Sequence, residues 1–576
     1  MIQHFTSDFK HLEDVDIETP NKDEIIKEGN EIDDRLVNAT NKDEAIQAVL
    51  DYFKFSDDLH TISSLVNIRY TINTKDEKYS KLYNLLNEIS PEIEEVTNKI
   101  DTDMLNSKFR KDLEERFGTL LFKQAELSRK TFDSKIVKDL VEENKLVTEY
   151  IDLVSSGLIE FKGEKFSISQ MGKYTTSLDR ETRKEASAKV WKFYSDNDEK
   201  LGDIYSRMIQ VRTKIAKTLG YKNFVQLGYD RMGRLDWNQD DAKIYREKIL
   251  NYIVPLSEKI KAEQRERVGL GSDYRYYDEV IFYKTGNPKP YGNTEDLVNA
   301  AKQMYSELSP VASYYFNFMV DHHCLDLDAK PGKAGGGYMD YIPSLKTSFI
   351  FSNSNGTSGD VDTLTHEFGH SLQGFLGGEN EVPSYRQPGM ECCEMHSMSM
   401  EFLTYPWMNL FFKKDTEKYL YQHLADAITF IPYGCIVDAF QTYCYEHPEL
   451  THKERKAYWR CLEKQYLPSK DYTGNDFLES GGYWMRQSHI FECPLYYLDY
   501  TIAQVVALEF FQESRVDKDK ALDKYLNFCK LAGKYPFKTL LKEANIKNPM
   551  DGDTLKEVSE DVMSYLSTFN TKELDK

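Results

Sequence analysis

The chain has no apolar run approaching the roughly 18 residues that a membrane-spanning helix requires, which excludes such a span. The first residues, Met1-Ile2-Gln3-His4-Phe5, lack a basic stretch followed by an apolar one, so no secretory signal is visible. Its eight cysteines, at 324, 392, 393, 435, 444, 461, 493 and 529, include no C-x-x-C pair. They read as reduced, mostly buried thiols rather than a disulfide framework. No basic tract is present to release counterions, and the net charge of −21 argues against nucleic-acid partners. Together these absences point to a cytoplasmic protein. Repeats, low-complexity tracts and Pro-rich linkers are also missing. The best boundary is a soft one near residue 200, separating an N-terminal helical lobe (1–200) from a second part (201–576).

What remains is ordinary soluble composition, 40% hydrophobic and 29% charged, on a chain of 576 residues long enough to bury a large core. The dominant period is helical. Ile46, Val49, Leu50 and Phe53 form one apolar stripe, and similar spacing runs through Val137 to Leu153 and Ala301 to Phe318. Leu158 to Phe161 and Lys165 to Ile168, joined around Gly163, read as a lone β-hairpin. The fold class expected is therefore mainly α.

Histidine is scarce, twelve residues in all, and two of them stand in His366-Glu367-Phe368-Gly369-His370. At this composition an H-E-x-x-H match arises by chance in about one chain in fifty. The motif falls within a helix read from Val361 to Phe375, opened by Thr357-Ser358-Gly359-Asp360 and closed by Gly377-Gly378. Residues four apart share a helix face, so both imidazoles reach one metal, with Glu367 beside its open position. Two neutral imidazoles and a nearby carboxylate are what a hydrolytic Zn²⁺ requires.

A third protein ligand is needed. After a Gly- and Pro-rich loop, residues 389–401 read as a second helix on which Glu391, Glu394 and Glu401 share a face; any of the three could serve. A third histidine in the H-E-x-x-H-x-x-G-x-x-H pattern is excluded, because positions 373 and 376 hold Gln373 and Leu376. Carboxylate is thereby favoured over His396. Asp362, one turn before His366, could accept the second N–H of that imidazole or simply favour the positive end of the helix dipole. Thr347 to Phe351 reads as a short β-branched and aromatic strand just before the zinc helix, placed as an edge against which an extended peptide could pair. His322-His323 reads as a packing or surface pair.

The run from Asp360 to His370, followed by Glu394-Met395-His396-Ser397-Met398-Ser399-Met400-Glu401, resembles the thimet oligopeptidase superfamily of zinc peptidases, in its oligoendopeptidase F and Pz-peptidase branch. The likeness extends to Gly220 to Phe224, Tyr229 to Arg234, Lys333 to Tyr338 with Phe351 to Asn353, and His489 to Tyr500, and so covers roughly residues 200 to 545. It implies Glu394 as the third ligand of one Zn²⁺ and Glu401 as a supporting carboxylate. It implies substrate contacts at Gly336, Gly337, Phe351 and Ser352. It further implies that His489 and Tyr500, with Tyr496 or Tyr497, donate to the developing oxyanion, although this segment carries a one-residue shift in its tyrosine spacing. In fold it implies two helical lobes enclosing a deep substrate channel, with a small β-sheet beside the zinc helix.

The function expected is a zinc endopeptidase for short unfolded peptides, with a water in the fourth zinc position activated by Glu367. A dipeptidyl carboxypeptidase or other exopeptidase on the same fold is the alternative. A non-enzymatic zinc-stabilised scaffold is more distant, because structural zinc sites usually hold four protein ligands and no adjacent free carboxylate. Partners expected are short peptides, with neither nucleic acid nor membrane.

Overall fold

In a computed structural model describing residues 2–575, the chain is mainly helical, with only a two-stranded hairpin and a three-stranded sheet among the described residues. Among the described residues no helix is long and apolar enough to cross a membrane. None of the eight cysteines is joined in a disulfide among the described residues.

The chain forms two compact units drawn from interleaved stretches. One comprises Met1–Arg129, Lys289–Thr416 and Glu513–Ile546, the other Lys130–Pro288, Glu417–Gln512 and Lys547–Lys576. Residue 200, where the sequence suggested a boundary, lies inside the helix Asp198–Thr218.

The first unit begins with three helices, Lys22–Asn38, Lys42–Ile72 and Glu77–Asn106, packed on one another. Each starts at an Asn or Asp, namely Asn21, Asn41 and Asp76, whose side chain accepts from the first free backbone N–H groups. The apolar stripe expected between Ala301 and Phe318 is interrupted: helices Thr294–Leu308 and Pro310–Asp321 meet at Ser309, which caps the second while Pro310 opens it. Proline cannot donate into the preceding turn, and this ends a helix that periodicity alone would have continued.

The sheet of this unit comprises β1 (Leu325–Asp328), β2 (Tyr338–Ile342) and β3 (Thr347–Ser354). Its spatial order is β1-β3-β2, with β1 parallel and β2 antiparallel to β3. This corrects the edge-strand expectation. Thr347 to Phe351 belongs to the central strand, whose backbone is paired on both sides, Phe351 lying opposite both Asp326 and Tyr338. Strand pairing is a long-range property that local composition does not reveal.

From β3 the chain turns at Gly356, whose positive φ of 79° suits glycine, into helix α1 (Gly359–Gly377). Asp360 fixes the turn by accepting from the N–H groups of Asn355 and Gly356. Helix α2 (Met390–Leu403) packs against α1, and helix α3 (Lys518–Leu531) packs on both. Behind α1, Phe368 is fully buried between Tyr305 and Phe316, at ring distances of 4.1 and 5.2 Å. That aromatic wedge fixes the rotation of α1 and so aims its two histidines.

In the second unit, the hairpin Leu158–Phe161 and Glu164–Ser167 lies close to its expected bounds. A long helix, Thr416–Glu446, and the helix Tyr497–Val516 supply much of its buried apolar surface.

Candidate active site

Helices α1 and α2 bring His366, His370 and Glu394 together. Their ligand atoms lie within 4.8 Å of one another. Glu394 Oε2 is 3.1 Å from His366 Nε2 and 3.4 Å from His370 Nε2. Burial raises the Glu394 carboxyl, but hydrogen bonds from both imidazoles hold it well below the usual carboxylate range. Burial likewise opposes charge on His366, and its two carboxylate partners overcome it, pushing the ring well above the ordinary histidine value. Two imidazole nitrogens and one carboxylate oxygen converging on a point form a donor set suited to a divalent transition metal.

Glu401 stands two helical turns beyond Glu394 on α2, and its Oε1 lies 2.7 Å from His366 Nδ1. This contact orients the ring so that Nε2 faces Glu394. Asp362 stands in the first turn of α1, where an acidic side chain meets the positive end of the helix dipole. Ser397 donates to Glu394 Oε2 at 3.2 Å. His396 turns the other way: it is fully buried, stacked on Phe528 of α3 at 4.1 Å, and burial pushes its imidazole down to about 3. Glu391 is buried in the first turn of α2 and is absent from the metal cluster.

Glu367 is 8% exposed. Burial raises its carboxyl above the ordinary value, against the pull of His366 and His370. A raised carboxylate beside a metal cluster suits a group that must both accept and return a proton.

Gly369 was not singled out by sequence reasoning, since it occupies a free position of the motif. A Cβ there would lie 2.7 Å from Ser397 Cα and 2.8 Å from the His396 carbonyl oxygen. The helices that carry the candidate metal ligands therefore touch backbone to backbone at this residue.

The proposed substrate residues separate into two groups. Gly336 and Gly337 lie on an exposed loop tied down by Asn353, whose amide donates to the carbonyls of Ala334 and Gly336. Phe351 and Ser352 are buried, Phe351 stacked on Tyr338 at 4.8 Å and Ser352 donating to the Leu327 carbonyl. Both side chains are thus packed into the sheet. Lys333 supports the same place, its ammonium donating to Asp326 Oδ1 at 2.6 Å and to the Ser352 carbonyl at 2.5 Å.

In the second unit His489, Tyr496, Tyr497 and Tyr500 form one half-buried cluster. His489 lies 5.0 Å from Tyr497 and 5.7 Å from Tyr500 between ring centroids, and Tyr496 5.0 Å from Tyr500. Gln487 bridges His489 Nδ1 and the Tyr433 hydroxyl, each at 2.8 Å. Asp499, next to Tyr500, forms a fully buried pair with Arg234 at 2.7 Å, and Arg234 lies 4.2 Å from the ring centres of both Tyr229 and Trp237. Arg234 thus anchors the start of the tyrosine-bearing helix, a link between residues 265 apart in sequence that no local pattern shows.

A helical fold carrying H-E-x-x-H, a carboxylate on the next helix and a buried glutamate beside them defines a metallopeptidase. Comparison with known proteins agrees. Residues 173–560 match Peptidase family M3 and residues 12–132 match the Peptidase M3 N-terminal domain. The chain is 22% identical over 544 residues to an oligoendopeptidase F homolog of Borreliella burgdorferi, covering 87% of this chain and 88% of that protein. It is 22% identical over 390 residues to the oligopeptidase PepF of Bacillus subtilis, covering 64% and 54%. A solved structure of Pz peptidase A with an inhibitor superimposes with a TM-score of 0.90 at 41% identity, covering 97% of this chain and 100% of that one. The chain belongs to peptidase family M3 and is a metallo-endopeptidase.

Proposed function

We propose that the protein hydrolyses internal bonds of short, unfolded peptides with one Zn²⁺ held by His366, His370 and Glu394. The observation that carries this reading is the convergence of those three ligand atoms with Glu367 buried beside them. Bound there, zinc supplies Lewis-acid polarisation of the scissile carbonyl and acidifies the attacking water. Glu367 accepts the proton of that water as it attacks and returns it to the leaving amine. Glu401 holds the His366 ring in place throughout. His489 and Tyr500, with Tyr496 or Tyr497, are assigned to hydrogen-bond the developing oxyanion, on the strength of the family resemblance. Eight cysteines that form no disulfide among the described residues support a reducing, cytoplasmic setting.

The test is metal analysis paired with cleavage of a ten-residue peptide blocked at both ends. One zinc per chain, loss of cleavage on chelation with recovery on adding zinc back, and internal cut sites are expected. Cleavage that survives metal removal would overturn the metal reading. Failure to cut the blocked peptide, with dipeptides released from unblocked ones, would replace the endopeptidase with the exopeptidase.

A further inference from the structure

The second unit contains a cavity of about 740 Å³ that none of the chemistry above uses. Aromatic residues dominate one part of its lining, among them Trp191, Tyr194 and Tyr483, and its charged lining residues are Glu279, Lys470 and Arg486. Glu279 and Lys470 neutralise one another across 2.5 Å. Arg486 has no carboxylate partner among the described residues; its Nη1 donates to the Tyr483 hydroxyl at 3.3 Å. The guanidinium lies 5.9 Å from the ring centre of Trp191 and 5.5 Å from that of Tyr483. Those two rings are themselves 5.0 Å apart.

Arg486 is open to the solvent of the cavity and yet ringed by protein. That placement strengthens its field toward an incoming anion, because low-dielectric walls focus it. The aromatic contacts hold the planar fork in place, so little rotamer entropy remains to be lost on binding. A cavity with a net positive charge stands out in a protein whose total charge is −21.

The cavity is also connected to the segment assigned to catalysis. Tyr483 packs against Tyr433 at 5.9 Å, and Tyr433 bonds Gln487, which bonds His489. Arg486 itself is three residues before His489 in sequence.

We infer that this cavity is a carboxylate-binding subsite in which Arg486 pairs with a free carboxylate of the peptide substrate, with the adjoining side chain against Trp191 and Tyr483. The planar, bidentate match of guanidinium to carboxylate favours that group over a point anion. The carboxylate is the peptide's C-terminus or an acidic side chain near it. That the ligand is a peptide rests on the peptidase reading, whereas the preference for a carboxylate rests on the cavity alone.

The test measures binding by calorimetry at about 0.15 M salt, where long-range repulsion from the acidic surface is screened. The full chain carries Glu367→Gln so that peptides persist. Three forms of one eight-residue peptide are compared: the free acid, the C-terminal amide, and an amide with Glu as last residue. Free acid should bind on the order of tenfold or more tightly than amide, as a charge-assisted pair predicts. The Glu-ended amide recovers that advantage if a side-chain carboxylate also serves, and stays with the plain amide if the C-terminus alone is read. Arg486→Gln should erase the advantage of the acid, and Arg486→Lys, which keeps charge but loses the fork, should retain part of it. Equal binding of acid and amide, or an acid advantage that survives Arg486→Gln, overturns the inference. Discrimination of acid from amide by the Glu367→Gln chain, with no peptide cut by the wild-type chain, would instead count against the peptidase reading and leave the subsite standing.

Discussion

Gly369→Ala tests whether the backbone contact between α1 and α2 sets the metal site. The added Cβ would meet Ser397 Cα at 2.7 Å, the His396 carbonyl oxygen at 2.8 Å and Met400 Cβ at 2.9 Å. Two of these are backbone atoms that no rotamer change removes. Restoring ordinary contact near 3.4 Å requires the helices to part by roughly 0.5–0.7 Å, a strain of about 1–3 kcal/mol. The intrinsic helix preference of alanine over glycine offsets about 1 kcal/mol of that. Stability therefore falls modestly, but metal binding falls further. His366 and His370 ride on α1 and Glu394 on α2, and metal–ligand distances tolerate only about 0.2 Å. The expected loss of zinc affinity is about 10- to 100-fold, comparable with removing a group that orients a ligand. Chelator competition gives the affinity and thermal unfolding of the metal-free protein gives the stability. Wild-type values of both would refute the argument that this contact positions the ligands.

Glu401→Ala removes the acceptor at His366 Nδ1 and should weaken zinc binding about 10- to 100-fold, read by the same competition; unchanged affinity would make Glu401 a bystander. Tyr500→Phe should lower kcat and kcat/KM together, by roughly 10²–10³, because the bond forms mainly in the transition state; a wild-type rate would return Tyr500 to the aromatic cluster. Asp101 provides a pH test of stability. Burial raises its carboxyl to about 6, opposed by a hydrogen bond from Tyr52. A folded value above the unfolded one means that the folded state binds the proton more tightly, so the contribution is favourable at low pH and is lost as pH rises from about 4 to 6. Asp101→Asn should then stabilise the protein by roughly 1–3 kcal/mol at pH 7 and give little gain at pH 4, measured by urea unfolding. An equal gain at both values would contradict the assignment.

Helix α1 was legible because H-E-x-x-H carries its own geometry and its caps bound it on both sides. Glu391, Glu394 and Glu401 were not separable by spacing, since all three fall on one helix face; the family resemblance selected Glu394, and the structure places that residue against both histidines. What the sequence concealed was non-local. The partners of β3 lie on both sides of it, so a strand read as an edge is central. Gly369 is an unspecified letter of the motif whose value appears only when α2 is in place. Arg234 and Asp499 are distant in sequence, and their pairing shows only in the fold. Ser309-Pro310 was different: the breaker was visible, and the apolar period on either side of it masked the end of one helix and the start of the next.

The central claim is that Glu367 moves the proton while His366, His370 and Glu394 hold the metal. Glu367→Gln keeps the shape of the side chain and removes its basicity, so zinc content and cleavage of a quenched peptide, measured on the same preparation, separate the two roles. The account predicts one zinc per chain with kcat reduced at least a hundredfold, on the usual scale of 10²–10⁴ for a lost general base. Zinc lost together with activity, or activity retained, would contradict it.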